Sequence, residues 1–511
     1  MFKAAEAGHA LSDTGFRELK DQLRLDLVEL QQRSRLKDGF PTIILLAGVQ
    51  GAGVMDTLNL LNTWMDPRWI HTHAFDAPSD EERERPPFWR YWRTLPAAGN
   101  IGLYLDGWYS EAITPRSQKR FSAATFKENL RRIAAFERTL ADDGALIFKV
   151  WLHISKADQR RKPDEHRIDP VFGFRASDAA WPQPAPYDAF TAAAAESIRA
   201  TNQPHARWHI INGADDNARR ATVLTLLRDA LKEHQKKLCK TAKQTAKRIK
   251  AERKADKKST ASRTSRNNAL AKVDLKKSMS DTAYARAFRT RQTRLYDLQK
   301  EARNAKLSSV IAFEGWDAAG KGGAIRRLTY ALSARNYQVA PIAAPNDDER
   351  AHHYLWRFWQ HLSRAGRMTI FDRSWYGRVL VERVEHLITS QAWERSYAEI
   401  NEFEKQLDAH DVVVLKFWLH IDADEQLRRF KDREETPYKR WKITDDDWRN
   451  REKWSRYEIA VNEMIARTST PAASWHLIPA NDKRIARIMI LDRVIKALEN
   501  GLARQKGRKG K

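Results

Sequence analysis

A single cysteine, Cys239, in 511 residues excludes an intramolecular disulfide framework and any cluster of thiolate metal ligands. Cysteine use this sparse suits a reducing compartment, so a cytoplasmic protein is expected. Long apolar runs are also missing. The best stretch, Ile43–Leu61, is broken by Gln50 and Asp56, so no membrane-spanning helix is expected. Residues Met1–Phe16 carry Glu6 and Asp13 and lack the basic-then-apolar order of a secretory leader. Acidic residues are outnumbered: 66 Asp and Glu stand against 91 Lys and Arg, a net charge of +25. Such an excess points to a polyanionic partner, whether nucleic acid, anionic lipid or a phosphate polymer, and charge alone does not choose among them.

The chain contains itself twice. Phe88–Gly99, rich in Trp and Arg, returns as Leu355–Gly366, with 356 − 89 = 267. Lys149–Ile154 returns as Lys416–Ile421 (416 − 149 = 267), and His209-Ile-Ile returns as His476-Leu-Ile (476 − 209 = 267). One offset kept over such distances means a duplicated domain, not a short-period solenoid. We therefore divide the chain into a first copy (1–231), a basic linker (232–277) and a second copy (278–511). The linker reads as helical over Lys232–Lys258 and flexible over Ser259–Asn268; it is either an arm for polyanions or a solvated connector. The duplication suggests an intramolecular pseudo-dimer, with a homo-oligomer as the alternative.

Each copy reads as α/β. In the second, strands are expected at Val310–Phe313, Thr369–Phe371 and Val412–Leu419, and helices at Arg326–Ala334, Tyr354–Leu362, Trp393–Leu407 and Arg484–Leu498. The first copy repeats this order, with strands near Thr42–Ala47, Gly102–Leu105 and Ala145–Leu152. Strands that are apolar throughout and alternate with helices imply a parallel sheet covered on both faces. The expected fold is thus two tandem P-loop-kinase-like three-layer α/β domains, the C-terminal one with a helical lid. The Trp-rich helices persist in both copies, so Trp89, Trp92, Trp356 and Trp359 are assigned to packing.

The chemistry concentrates after Phe313. Gly315–Gly322 reads Gly-Trp-Asp-Ala-Ala-Gly-Lys-Gly and leads from a strand into a helix. That is a phosphate cradle: the backbone of Gly315, Ala318, Ala319, Gly320, Gly322 and Gly323 faces the anion, and Lys321 adds a point charge. Gly322 stands where a P-loop usually places a Ser or Thr hydroxyl on Mg²⁺. Asp317, a carboxylate inside the loop, is read as the replacement metal ligand, since an anion suits a phosphate site only across a cation. Past the second strand, Asp372 and Arg373 follow in the same mouth, and Asp372 can hold Mg²⁺ as a Walker B acid does.

The first copy is stripped of this set. Gln50 replaces Asp317 and Val54 replaces Lys321, at 315 − 48 = 267. At its second strand end it keeps a carboxylate, Asp106, but lacks a counterpart of Arg373. Catalysis is assigned to the C-terminal copy. After Val412–Leu419, Arg428–Arg433 and Tyr438–Lys442 supply cations on a helical hairpin placed like a kinase lid. The first copy departs there too, with Pro163 in the run and Phe174-Arg175 opposite Trp441-Lys442.

These segments resemble the polyphosphate kinase 2 family: Phe313–Ala324, Tyr354–Trp359, Phe371–Tyr376 and the lid around Trp441-Lys442, within about Met279–Glu499. A degenerate first copy fused to a complete second one looks like the two-domain class of that family, known for phosphorylating AMP to ADP with inorganic polyphosphate. The resemblance implies that Asp317 and Asp372 are the Mg²⁺-associated carboxylates and that Lys321 and Arg373 act on the transferring phosphoryl group. It makes Arg378, Arg429, Arg433 and Lys442 polyphosphate or lid contacts. Gly377 departs from the family, which usually has Asn there. Pro345, Asp347, Glu349 and Glu382 are the candidate contacts to the acceptor nucleotide. Two rivals use the same residues or the same charge: an ATP-dependent nucleoside or nucleotide kinase, and a basic scaffold for nucleic acid, the latter disfavoured by the catalytic set being kept in one copy only.

Overall fold

The computed structural model describes residues 1–7, 10–161, 186–258 and 268–509. The first repeat builds one five-stranded sheet from β1 (Thr42–Gly48), β2 (Ile70–Ala74), β3 (Ile101–Leu105), β4 (Leu146–His153) and β5 (Trp208–Asn212). The second builds another from β6 (Ser309–Gly315), β7 (Tyr337–Pro341), β8 (Met368–Asp372), β9 (Val413–His420) and β10 (Trp475–Pro479). The strand orders are β2-β3-β1-β4-β5 and, read in the same sense, β7-β8-β6-β9-β10, with every pairing parallel. The offset holds at each strand start: 309 − 42, 337 − 70, 368 − 101, 413 − 146 and 475 − 208 all equal 267.

The central strands β1 and β6 are buried along nearly their whole length. A parallel strand with helices on both faces has no wet side, which is why these segments read as unbroken apolar runs. The edge strands β2 and β7 and the outer strands β5 and β10 were not expected. β2 and β7 are half exposed and carry His, Thr and Gln, so they lack the apolar signature of the centre. β5 and β10 are short, begin with a buried Trp, and are only half-buried at the two residues that follow it.

Helix boundaries differ too: those expected at Tyr354–Leu362, Trp393–Leu407 and Arg484–Leu498 run Trp356–Gln360, Ser390–Ala409 and Lys483–Lys509. The helix after the phosphate loop runs Lys321–Thr329, not Arg326–Ala334, because it starts directly on the loop glycine, Gly320. The helical part of the linker is the continuation of a single helix, Asp216–Lys258, that begins inside the first repeat. The stretch expected to be flexible, and the first-copy positions Pro163, Phe174 and Arg175, lie outside the described residues apart from Asn268. The chain forms two compact units: Met1–Pro78 with Arg90–Gln244 and Asn346–His353, and Ser79–Trp89 with Thr245–Pro345 and Tyr354–Lys511. Among the described residues no helix is long and apolar enough to cross a membrane.

One buried polar network recurs in both repeats. Lys416 Nζ lies 2.8 Å from Glu404 Oε2 and also donates to the Tyr376 hydroxyl and to the Thr468 carbonyl. Trp375 Nε1 and the Tyr376 hydroxyl donate to the other Glu404 oxygen. Lys149, Glu137, Tyr109, Thr201 and Trp108 repeat this arrangement, with the ion pair at 2.6 Å. A buried ion pair is tolerable only when its remaining polar atoms are also satisfied, and here they are. The network ties the turn after β8 (or β3) to the middle of β9 (or β4). Since the stripped copy keeps it, its role is to hold the fold. Trp89, Trp92 and Trp359 are buried as expected of packing residues, and Trp356 is half-buried.

Candidate active site

The second repeat's loop leaves β6 at Gly315, where a Cβ would lie 2.6 Å from the Leu419 carbonyl oxygen, so the close approach of β9 admits only glycine. Gly320 caps the following helix at φ +107°. Between them Ala318 takes a left-handed φ of +61°, unusual for a residue with a Cβ. The helix Lys321–Thr329 thus points its free N–H groups at the mouth of the sheet, beside the ends of β6 and β8.

Four charged side chains gather around that loop. Asp317 accepts from Arg373 Nη2 at 3.2 Å and from Asn450 Nδ2 at 3.0 Å, one on each carboxylate oxygen. Lys321 donates to the Gly315 and Trp316 carbonyls at 2.7 and 3.1 Å. Burial pulls the Lys321 ammonium below its ordinary range, while Asp317, Glu314 and Asp372 act in the opposite direction. Burial also works against the Arg373 charge, but the same three carboxylates together with Asp447 outweigh it and hold Arg373 above its ordinary value. A Cβ on Gly322 would lie 3.8 Å from Asp372 Oδ2, so the position that usually bears a hydroxyl is next to this carboxylate. Asp317, Lys321, Asp372 and Arg373 therefore cluster around the loop within reach of one another's charge. Two carboxylates facing a phosphate cradle are a donor set that fits Mg²⁺, which takes one or two carboxylates and completes its shell with phosphate and water.

A fifth group was not foreseen. Glu314, at the end of β6 and 6 % exposed, accepts the Ser374 N–H and the Ser374 hydroxyl on one oxygen, each at 2.8 Å. Burial pushes its carboxyl up, and Ser374, Lys321 and Arg373 draw it back. Its counterpart is Ala47, and Gly107 stands for Ser374 (314 − 47 = 374 − 107 = 267). That contrast was available in the sequence.

The strand register corrects the pairing expected for Asp106. Phe313 pairs with Asp372, and Leu46 pairs with Leu105, so Leu105 takes the place of Asp372. Asp106 takes the place of Arg373: both have left-handed φ, +55° and +65°, and their N–H groups bond Leu46 and Phe313. The first repeat thus lacks both acids and both cations, and one cation has become an acid. Burial alone pushes the Asp106 carboxyl up to about 7.

The lid is a helical hairpin: Ala423–Glu435, a turn over Pro437–Lys442, and Asp445–Glu452. Arg429, only 3 % exposed, sends its guanidinium to the carbonyls of Ala318, Ala319, Ala480 and Asn481 at 2.6–3.0 Å. It braces the loop backbone from the lid's first helix. Asn450, on the second lid helix, reaches Asp317 and is met by the Tyr457 hydroxyl at 3.3 Å. Trp316 stacks on Trp454 at 3.7 Å and donates to His420 Nδ1, which burial keeps neutral by pushing that imidazole down to about 4.

A cavity of about 270 Å³ opens beside the loop, walled by Ala318–Gly320 and Gly323 and by Arg433, with Arg326, Lys483 and Arg487 adding positive charge. Lys483 and Arg487 sit at the start of the final helix, Lys483–Lys509, and were not singled out from sequence. Arg378 and Glu382 pair with each other at 2.7 Å, and Arg378 lies over the Tyr354 ring. Asp347 and Glu349 occupy the short helix Asp347–Arg350, where Glu349 closes a capping box with Asn346; Asn346–His353 is part of the first compact unit, whereas Pro345 ends a segment of the second. Lys442 closes the lid turn, and its side chain lies outside what the structure describes.

The family model for polyphosphate kinase 2 matches residues 10–239 and again 278–506. A polyphosphate:AMP phosphotransferase from Pseudomonas aeruginosa is 42% identical over 506 residues, covering 99% of this chain and 100% of that one. One from Acinetobacter johnsonii is 36% identical over 494 residues, covering 94% and 96%. A crystal structure from Pseudomonas aeruginosa PA01, described as a polyphosphate kinase 2, superposes with a TM-score of 0.85 at 41% identity, over 98% of this chain and 99% of that one. With the model matching both repeats and relatives matching end to end, the chain belongs to the polyphosphate kinase 2 family.

Proposed function

We propose that the chain transfers the terminal phosphoryl group of inorganic polyphosphate to AMP, giving ADP, and that the second repeat carries the reaction. The observation that carries this reading is the charged cluster of Asp317, Lys321, Asp372 and Arg373 around a loop that also walls a cavity rich in Arg and Lys, a set found in one repeat alone. The names of the full-length relatives supply the donor and acceptor. Phosphoryl transfer depends on in-line positioning and on neutralising charge more than on covalent chemistry, and these groups do both. The loop N–H groups and Lys321 hold the phosphate to be moved, and Arg373 faces its oxygens. The basic wall of Arg326, Arg433, Lys483 and Arg487 accommodates the remaining polymer. An AMP phosphate oxygen is already anionic, so no strong general base is needed. Asp317 and Asp372 are the residues that would hold Mg²⁺, which supplies positive charge between carboxylates and phosphates when bound. Polyphosphate also accounts for part of the +25 net charge. With one cysteine and a phosphorylated metabolite as acceptor, we assign the chain to the cytoplasm.

The test gives purified protein AMP with either polyphosphate or ATP as the sole donor. ADP is expected from polyphosphate; ADP formed with ATP as donor and none with polyphosphate ends this reading.

A further inference from the structure

In the first repeat the phosphate loop is already filled. Arg219, 0 % exposed, rises from the first turn of the helix Asp216–Lys258 and lays its guanidinium against Gly53; a Cβ on Gly53 would meet Arg219 Cζ at 2.2 Å. Arg219 Nη1 donates to the Gly213 carbonyl at 3.2 Å and to Asp216 at 2.6 Å, and Nη2 lies 3.7 Å from Asp56. The guanidinium is therefore compensated by two carboxylates of its own repeat.

The second repeat has room at the same place. The counterparts of Arg219, Gly53 and Gly213 are Ala486, Gly320 and Ala480 (486 − 219 = 320 − 53 = 480 − 213 = 267). Ala486 and Gly320 both line the basic cavity, and a Cβ on Gly320 would meet nothing nearer than Arg429 Nη1 at 3.9 Å, against 2.2 Å between a Cβ on Gly53 and Arg219 Cζ. The bond that Arg219 makes to Gly213 is made to Ala480 by Arg429, which reaches it from the lid helix and itself lines the cavity.

We infer that Arg219 is a built-in occupant that closes the first repeat to phosphate, and that the small side chain of Ala486 is what keeps the second open to the polymer. The inference rests on the donor reading given above. An anion entering the first loop would have to expel a buried cation and then face Asp56 and Asp216, both of which repel it. In the second repeat a large residue at 486 would fill the space that the polymer needs.

Hydrogen–deuterium exchange on the full chain, with inorganic tripolyphosphate as probe at matched ionic strength, tests this directly. The amides of Gly315–Ile325 are expected to slow and those of Gly48–Leu58 to stay unchanged. Equal slowing of both loops overturns the inference. Slowing of neither removes the donor reading and the inference with it. In parallel, Ala486→Arg is expected to lower kcat/KM for polyphosphate on the order of 100-fold, and Ala486→Ser, which adds one atom, by at least tenfold less than that. Wild-type turnover by Ala486→Arg would show that position 486 does not gate the donor.

Discussion

One oxygen of Glu314 receives both the backbone N–H and the hydroxyl of Ser374, at 2.8 Å each. This bond pair fixes the residue that follows Arg373, whose own φ of +65° is strained, and so sets where the Arg373 guanidinium can reach. Glu314→Gln keeps an acceptor oxygen but removes a negative charge that faces Lys321 and Arg373. It is expected to lower kcat by roughly 10- to 100-fold, the range for losing a group that orients the residues meeting metal or substrate. Steady-state ADP formation, with circular dichroism as the control for folding, measures it. A rate within twofold of wild type (about the scatter of such assays) would reduce Glu314 to packing.

The two loops make opposite predictions for equivalent changes. Lys321→Ala and Asp372→Ala should each lower transfer by about a thousandfold, as expected for groups acting on the transferring phosphoryl. Val54→Ala and Leu105→Ala, at the matching first-copy positions (321 − 54 = 372 − 105 = 267), should leave the rate unchanged. The same donor assay on the four variants checks this. An equal loss from either first-copy change would place chemistry in both repeats.

Breaking either buried ion pair should be severe and similar. Lys416→Met leaves Glu404 without its cation, and Lys149→Met does the same to Glu137. Each is expected to destabilise its repeat by about 3–5 kcal/mol, the usual effect of removing one partner of a buried pair. Denaturant unfolding followed by tryptophan fluorescence reads it. A change below about 1 kcal/mol in either would mean that water or another donor replaces the lysine.

Asp106 gives a pH-dependent prediction. Its carboxyl titrates at about 7 in the folded chain, against 3.8 as a free side chain, so the folded state binds the proton more tightly. The sign follows: its contribution to stability is complete below pH ~4 and is lost as pH rises through about 7. Asp106→Asn, which tolerates the same left-handed backbone, should match wild type near pH 4 and exceed it above pH 7. The expected gain is roughly 2 kcal/mol, half of the full linkage value because the residue keeps some solvent contact. Denaturation midpoints at the two pH values decide it.

The centre of each sheet was legible because a strand buried on both faces is mostly apolar, as β6 and β9 are apart from Ser309, Glu314, Lys416 and His420. The edge strands were not, since half-exposed residues such as His71, Thr72 and Gln338 carry no such pattern. At the site, Asp317, Lys321, Asp372 and Arg373 could be read from one contiguous loop and one strand end. Asn450 could not: it reaches Asp317 from 133 residues away, through a lid whose path no local pattern specifies. Glu314 and Ala486 were within reach, but only by asking what the stripped repeat has in their place, Ala47 and Arg219. The misplacement of Asp106 had the same origin: an acid near a strand end was matched by type, when the strand register matches it to a cation.

Ala318 sits at φ +61°, and its equivalent in the other loop is Gly51 at φ +84° (318 − 51 = 267). A methyl group in that backbone conformation costs about 1 kcal/mol that glycine does not incur. The loop proposed to meet substrate carries this tension, and its counterpart does not. A single polypeptide therefore holds a strained loop and its relaxed equivalent, and comparing their local unfolding would weigh what a phosphate cradle demands of a backbone.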